Sequence, residues 1–151
     1  MFTEDMIAPC GLDCSLCTQA HSKTAPCPGC LGSDVDKPDF CSAQCGIINC
    51  EERKAHSYRF CDECPRFPCE DAQEREDRYQ SQYPLRESPF ENLREIRQYG
   101  MSAFLQRQKE RWSCGECGGP ISVHTGICRD CGKGYDASSF DAKGGVAHSG
   151  V

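Results

Sequence analysis

Residues 114–133 read CGECGGPISVHTGICRDCGK, and residues 60–70 read FCDECPRFPCE. Both stretches are built on cysteines two residues apart, a gap that turns both sulfurs toward one tetrahedral ion with Zn–S bonds of about 2.3 Å. Five such pairs occur: Cys14/Cys17, Cys27/Cys30, Cys61/Cys64, Cys114/Cys117 and Cys128/Cys131. Glycine follows Cys117 and Cys131, which allows the tight turn that aims backbone amides at the sulfurs. Between these two knuckles, Pro120 to Ile127 alternates and turns at Thr125-Gly126, predicting a short hairpin with an exposed His124. The pattern resembles a zinc ribbon, with Cys114, Cys117, Cys128 and Cys131 as one Zn²⁺ site.

The rest of the chain supports a metal-stabilised fold. There are 15 cysteines in 151 residues, and mean hydropathy is -0.63. Residues 1–70 hold few large aliphatics: Ile7, Leu12, Leu16, Leu31, Val35, Ile47 and Ile48. So little apolar area can hardly offset chain entropy. Structural zinc, worth roughly 10–16 kcal/mol in small peptides, can make up the difference. A disulfide framework is disfavoured by the odd cysteine count and by serial C-x-x-C pairs. Met1 to Cys10 carries no signal-peptide pattern. These features point to a reduced, cytoplasmic protein, and no segment approaches the ~20 apolar residues of a membrane span.

The net charge of -6 is uneven. Residues 1–87 carry 9 basic against 16 acidic side chains, and residues 88–135 carry 7 against 5. Four thiolates around Zn²⁺ add further negative charge. Such a surface repels phosphate backbones, so a protein partner is expected and nucleic acid is not.

Four segments follow: a cysteine-rich metal-binding domain with a trailing helix (1–87), a helical bridge (88–112), a zinc ribbon (113–135) and a disordered tail (136–151). The predicted fold class is a small, irregular, metal-stabilised α+β fold. Residues 70–83 suit a charged helix ending before Pro84. Ser88-Pro89-Phe90-Glu91 is a helix start with Ser88 as N-cap and Pro89 at the first turn. Gly100 is a stop, and a second helix begins near Ser102. Phe90, Leu93, Ile96, Phe104, Leu105 and Trp112 are expected to pack together and against the N-terminal part.

The N-terminal ligand candidates are Cys10, Cys14, Cys17, Cys27, Cys30, Cys41, Cys45, Cys50, Cys61, Cys64 and Cys69. "IAPCGLDCSLC" (7–17), "CPGC" (27–30), "INC" (48–50) and "FCDECPRFPCE" (60–70) resemble the family known as domain of unknown function 3795. Residues 93–119 are similar to the extension that joins this domain to a ribbon in relatives. The resemblance implies a small, cysteine-rich bacterial or archaeal protein that binds zinc, and it implies no activity. One departure is the short stretch between Cys17 and Cys27.

Eleven cysteines do not divide by four. Three sites need one more ligand, such as His21 or His56. The favoured grouping joins Cys14/Cys17 with Cys27/Cys30, and Cys61/Cys64 with two of Cys41, Cys45 and Cys50; Cys10 and Cys69 then join a third site or stay free. In all, two to four Zn²⁺ ions are expected.

The expected function is a non-catalytic zinc-binding adaptor or interaction module. The alternative is an iron–sulfur electron carrier or redox sensor using residues 10–69. The spacing Cys10-x₃-Cys14-x₂-Cys17 matches that of radical cluster enzymes, but ~150 residues cannot supply a barrel of ~250. Cys27-Pro-Gly-Cys30 lacks the strand–helix flanks of a thioredoxin pair. No P-loop, dinucleotide fingerprint, HExxH or G-x-S-x-G is present, and no catalytic residue is assigned.

Overall fold

The structure is a computed structural model that describes residues 2–139. The N-terminal third has too few apolar residues for long elements and runs through short turns. 3₁₀ turns form at Glu4–Met6, Cys14–Leu16, Thr18–His21 and Asp34–Asp36, and a single π turn spans Phe40–Gln44. Helix α1 (Glu51–His56) and a 3₁₀ turn at Cys61–Glu63 follow. The longer helices are α2 (Glu70–Ser81), α3 (Pro89–Tyr99) and α4 (Met101–Trp112). A last 3₁₀ turn covers Ala137–Ser139. The expected tail lies outside the described residues from 140 onward.

Among the described residues, β structure amounts to isolated antiparallel bridges: Ile7 with Asp13, Ser113 with Pro120, Ile121 with Cys128, and Ile127 with Gly134. The fold is therefore small, cysteine-rich and mostly helical, and the expected α+β class is met only to that extent. The knuckles leave too few residues between turns for a ladder. The Ser122 amide bonds the Ile127 carbonyl at 3.2 Å, and the Gly126 amide bonds the Ser122 carbonyl at 2.8 Å.

Local signals set the helix ends. Ser88 Oγ accepts the Glu91 amide at 3.1 Å, and Pro89 occupies the first turn. The rest of the cap comes from α2, since Glu76 accepts from Ser88 Oγ at 2.6 Å and from the Phe90 amide at 3.1 Å. Glu91 itself pairs with Arg94. Gly100, at φ 89°, ends α3 and opens α4.

Two apolar clusters form the core. Leu93 and Phe104, with Ile96 and Leu105 at the edge, pack against Ile7, Phe60 and Phe67. Phe90 meets Phe67 edge-on. Trp112 departs from the expected grouping. It joins the other cluster, with Leu12, Leu16, Tyr79, Leu85, Cys114, Ile121 and Val123. It sits at the end of α4, more than two turns beyond Phe104, where the helix has passed the first cluster.

That second cluster spans both cysteine-bearing parts. The Val123 amide bonds the Leu16 carbonyl at 3.0 Å, the Leu85 amide bonds the Val123 carbonyl at 3.4 Å, and Thr18 Oγ1 meets Ser122 Oγ at 2.9 Å. The separation in sequence is bridged in space, so the parts share one core. No helix among the described residues is long and apolar enough to cross a membrane.

Candidate metal centre

The C-terminal cysteines are brought together by two tight turns. Their Sγ atoms all lie within 4.8 Å of one another. Cys114 stands 3.6 Å from Cys131, and Cys117 stands 3.5 Å from Cys128. A tetrahedral zinc thiolate site sets its sulfurs about 3.8 Å apart, whereas a disulfide brings them to about 2.0 Å. The spacing is that of ligands to one ion. The four thiols can hold a metal.

Donors surround these sulfurs. The Glu116 amide donates to Cys114 Sγ and the Gly119 amide to Cys117 Sγ, both at 3.4 Å. The Tyr135 hydroxyl lies 3.1 Å from Cys114 Sγ and accepts the Gly115 amide at 3.0 Å. Burial raises the Cys114 pKa, but these hydrogen bonds outweigh it and bring it down to about 6. Cys117 moves the other way. The Gly119 amide lowers it, yet sharing protons with Cys128, Cys131 and Cys114 pushes it up to about 12. Four close sulfurs cannot all ionise alone, and a divalent cation removes that conflict.

His124 is not the exposed residue expected from the hairpin. It is half-buried and packs at a tilt against both Tyr79 and Tyr83. Its Nδ1 accepts the Thr18 amide at 3.3 Å, so Nε2 carries the proton and donates to the Tyr79 hydroxyl at 2.7 Å. Burial lowers its pKa and favours this neutral form. His21 likewise donates Nε2–H to the Ser15 carbonyl at 2.6 Å. His56 is exposed, near Glu52 and stacked on Tyr58.

The eleven N-terminal cysteines are arranged differently. Among the described residues, the C-terminal set is the one group of three or more His, Cys, Asp or Glu that meets the common 4.8 Å limit. Cys10, Cys14, Cys17, Cys30, Cys41 and Cys45 instead line one cavity, and Cys27 joins Cys14, Cys17, Cys30 and Cys41 around an adjoining one. Within this set Cys14 Sγ lies 3.6 Å from Cys30 Sγ. Their shared hydrogen bond raises Cys14 and, despite burial, lowers Cys30 to about 7, helped by the charges of Lys37, Arg75 and Arg53. Cys61 faces other partners. Burial raises it to about 12, and the thiols acting on it are Cys69 and Cys50. Cys50 caps α1, Cys69 caps α2, and Cys64 closes the turn that Cys61 opens. Cys41 and Cys45 line the cavity with Cys30, while Cys50, the third candidate for the Cys61 grouping, acts on Cys61.

Residues 6–74 match the family described as Protein of unknown function (DUF3795). The match covers less than half of the chain. The DUF3795 segment contains all eleven N-terminal cysteines, while α3, α4 and the C-terminal four lie beyond it. No curated protein and no solved structure matches the chain.

Two features around the DUF3795 segment escape a reading of the sequence. Arg75 lies in a helix that reads as fully solvated, yet it faces the cysteine cavity and donates to Cys45 Sγ at 3.4 Å. The available signal is the spacing of Ala72, Arg75 and Tyr79, which puts the three on one helical face. The second feature is a buried polar network. Glu87 Oε2 accepts the Asp13 amide and Asn92 Nδ2, both at 2.9 Å. Asp13 accepts from the Ser15 amide at 3.0 Å, from the Ser15 hydroxyl, and from Gln108 Nε2 at 3.1 Å. Asn92 also donates to the Gly11 carbonyl at 2.9 Å. This network ties the "CGLDC" loop to α3 and α4. No spacing in the sequence marks Glu87, Asn92 and Gln108 as its partners.

Proposed function

We propose that this protein is a zinc-binding, non-catalytic module that contacts other proteins, with its C-terminal Cys₄ set folded as a zinc ribbon. The observation that carries the reading is the convergence of Cys114, Cys117, Cys128 and Cys131 within 4.8 Å. Four sulfurs and no imidazole or carboxylate suit Zn²⁺ over harder ions. Four protein ligands also close the tetrahedron, which leaves no position for a reactive water. Zinc here holds structure.

A protein partner fits the surface. Leu31, Val35 and Phe40 are exposed large apolar residues within one ten-residue stretch of the DUF3795 segment. Exposed apolar groups so close in sequence suit contact with another protein more than contact with a polyanion.

The test is metal analysis of purified protein beside Cys114→Ser and Cys131→Ser. Each variant should lose one equivalent of zinc per chain. A full zinc content in both variants sinks the reading.

A further inference from the structure

We infer that the cavity lined by Cys10, Cys14, Cys17, Cys30, Cys41 and Cys45 holds a sulfide-bridged iron–sulfur cluster and not a single zinc ion. This deepens the proposed function, since it rests on the chain being a metal–thiolate protein, but it concerns a different set of cysteines.

The first argument is spacing. A single ion draws its thiolates to about 3.8 Å from one another, and all four sulfurs of the C-terminal set lie within 4.8 Å. In a two-iron, two-sulfide cluster each iron carries two thiolates, so thiolates on the same iron are close and those on different irons stand apart. The cavity has that pattern. Cys14 and Cys30 are 3.6 Å apart, and no third sulfur meets the 4.8 Å limit with them. Cys14 and Cys30 are thus the pair assigned to one iron.

The second argument is space. The cavity encloses about 70 Å³. One water needs only ~10–15 Å³ by the same measure. A lone ion clasped by four sulfurs needs no such room. Ala8, Leu12, Ile47, Ile48 and Val123 make up the apolar part of the walls, beside Asp13, Tyr79, Glu87 and His124.

The third argument is an unmatched donor. Arg75 spends one Nη on Cys45 Sγ, but its Nε–H is buried and has no hydrogen-bond partner among the described residues. A buried charged donor without an acceptor is costly. Inorganic sulfide and metal-bound thiolate both accept hydrogen bonds, and their net negative charge suits a guanidinium. Lys37 adds a second cation beside the cavities. Its side chain is 3% exposed, and its Nζ donates to the Cys30 carbonyl at 2.8 Å and to Asp34 at 2.9 Å. The pocket of thiol and apolar groups, which Asp13, Tyr79, Glu87 and His124 also line, presents the Arg75 guanidinium to an anion of metal and sulfur.

The test is anaerobic purification of the full chain, then reconstitution with ferrous iron and sulfide, in parallel with Zn²⁺ alone. A brown protein with iron and acid-labile sulfide in near-equal amounts is the expected result. Cys14→Ser should at least halve both. Arg75→Gln guards against a variant that merely fails to fold. It should keep the iron and sulfide and lower the cluster's reduction potential, because a lost positive charge disfavours the added electron. A colourless protein that takes only zinc, or iron bound without labile sulfide, overturns the inference. An unchanged potential in Arg75→Gln overturns the role given to Arg75. None of these outcomes touches the zinc equivalent lost in Cys114→Ser, so the two readings fail separately.

Discussion

Asp13 and Glu87 face each other through the Asp13 amide in a region almost closed to water. Burial pushes both carboxyls up, and for Glu87 the nearby Asp13 adds to the push. The folded chain therefore holds a proton on Glu87 more tightly than the unfolded chain does. The stability this gives is full below the ordinary value of 4.5 and is lost as pH rises through the raised folded value. Glu87→Gln removes the charge, and its amide oxygen can still accept from the Asp13 amide and Asn92. The variant should melt a few degrees above the parent at pH 8, with a gain that shrinks toward pH 5. Circular dichroism melts of metal-loaded protein across that range measure it. A gain that does not vary with pH, or a parent more stable at pH 8, contradicts this account of the network.

At the scale of elements, the break between α3 and α4 rests on one residue. Gly100 sits at φ 89° and ψ 160°, a region essentially closed to other residues at a cost of about 1–3 kcal/mol. A Cβ at this position would meet no atom of the described residues within 4 Å, so strain sets the penalty. Gly100→Ala should lose about 1–3 kcal/mol in urea unfolding with an unchanged slope. A loss below a few tenths would mean that the helices can rejoin without cost. Gly11 differs, since a Cβ there would meet the Pro89 carbonyl oxygen at 2.3 Å and Leu93 Cγ at 2.9 Å. The break at Gly100 is readable in the sequence, as are Ser88, Pro89 and the end of α2 before Pro84, because caps and stops are local chemistry. α1 is not, because six residues between Cys50 and Ser57, all but Ala55 charged or polar, carry no apolar period. The partners of Cys41, Cys45 and Cys69 are equally hidden, since distances across the fold decide them. The C-terminal four are legible because their spacing alone closes the set.

At the scale of the molecule, Trp112 links the two halves. It is 3% exposed and packs in the cluster that includes Leu12 and Leu16 from the first half and Ile121 and Val123 from the second. Two residues after Trp112 stands Cys114, itself part of that cluster and of the metal centre. Loosening the C-terminal site should therefore disturb the core under the N-terminal cysteines, although their own ligands are untouched. Cys131→Ser should lower the urea midpoint of the whole chain. With a slope of about 2 kcal/mol/M, a loss of only about 2 kcal/mol moves the midpoint by about 1 M. Trp112 emission, expected to be blue-shifted in the folded parent because the ring is buried, reports the shared cluster, and far-ultraviolet circular dichroism reports the helices. One core requires the two signals to change together, in parent and variant alike. Two separate transitions, with the helices holding after Trp112 is exposed, would show that the hydrogen bonds joining Val123 to Leu16 and Leu85 link independent units that merely touch.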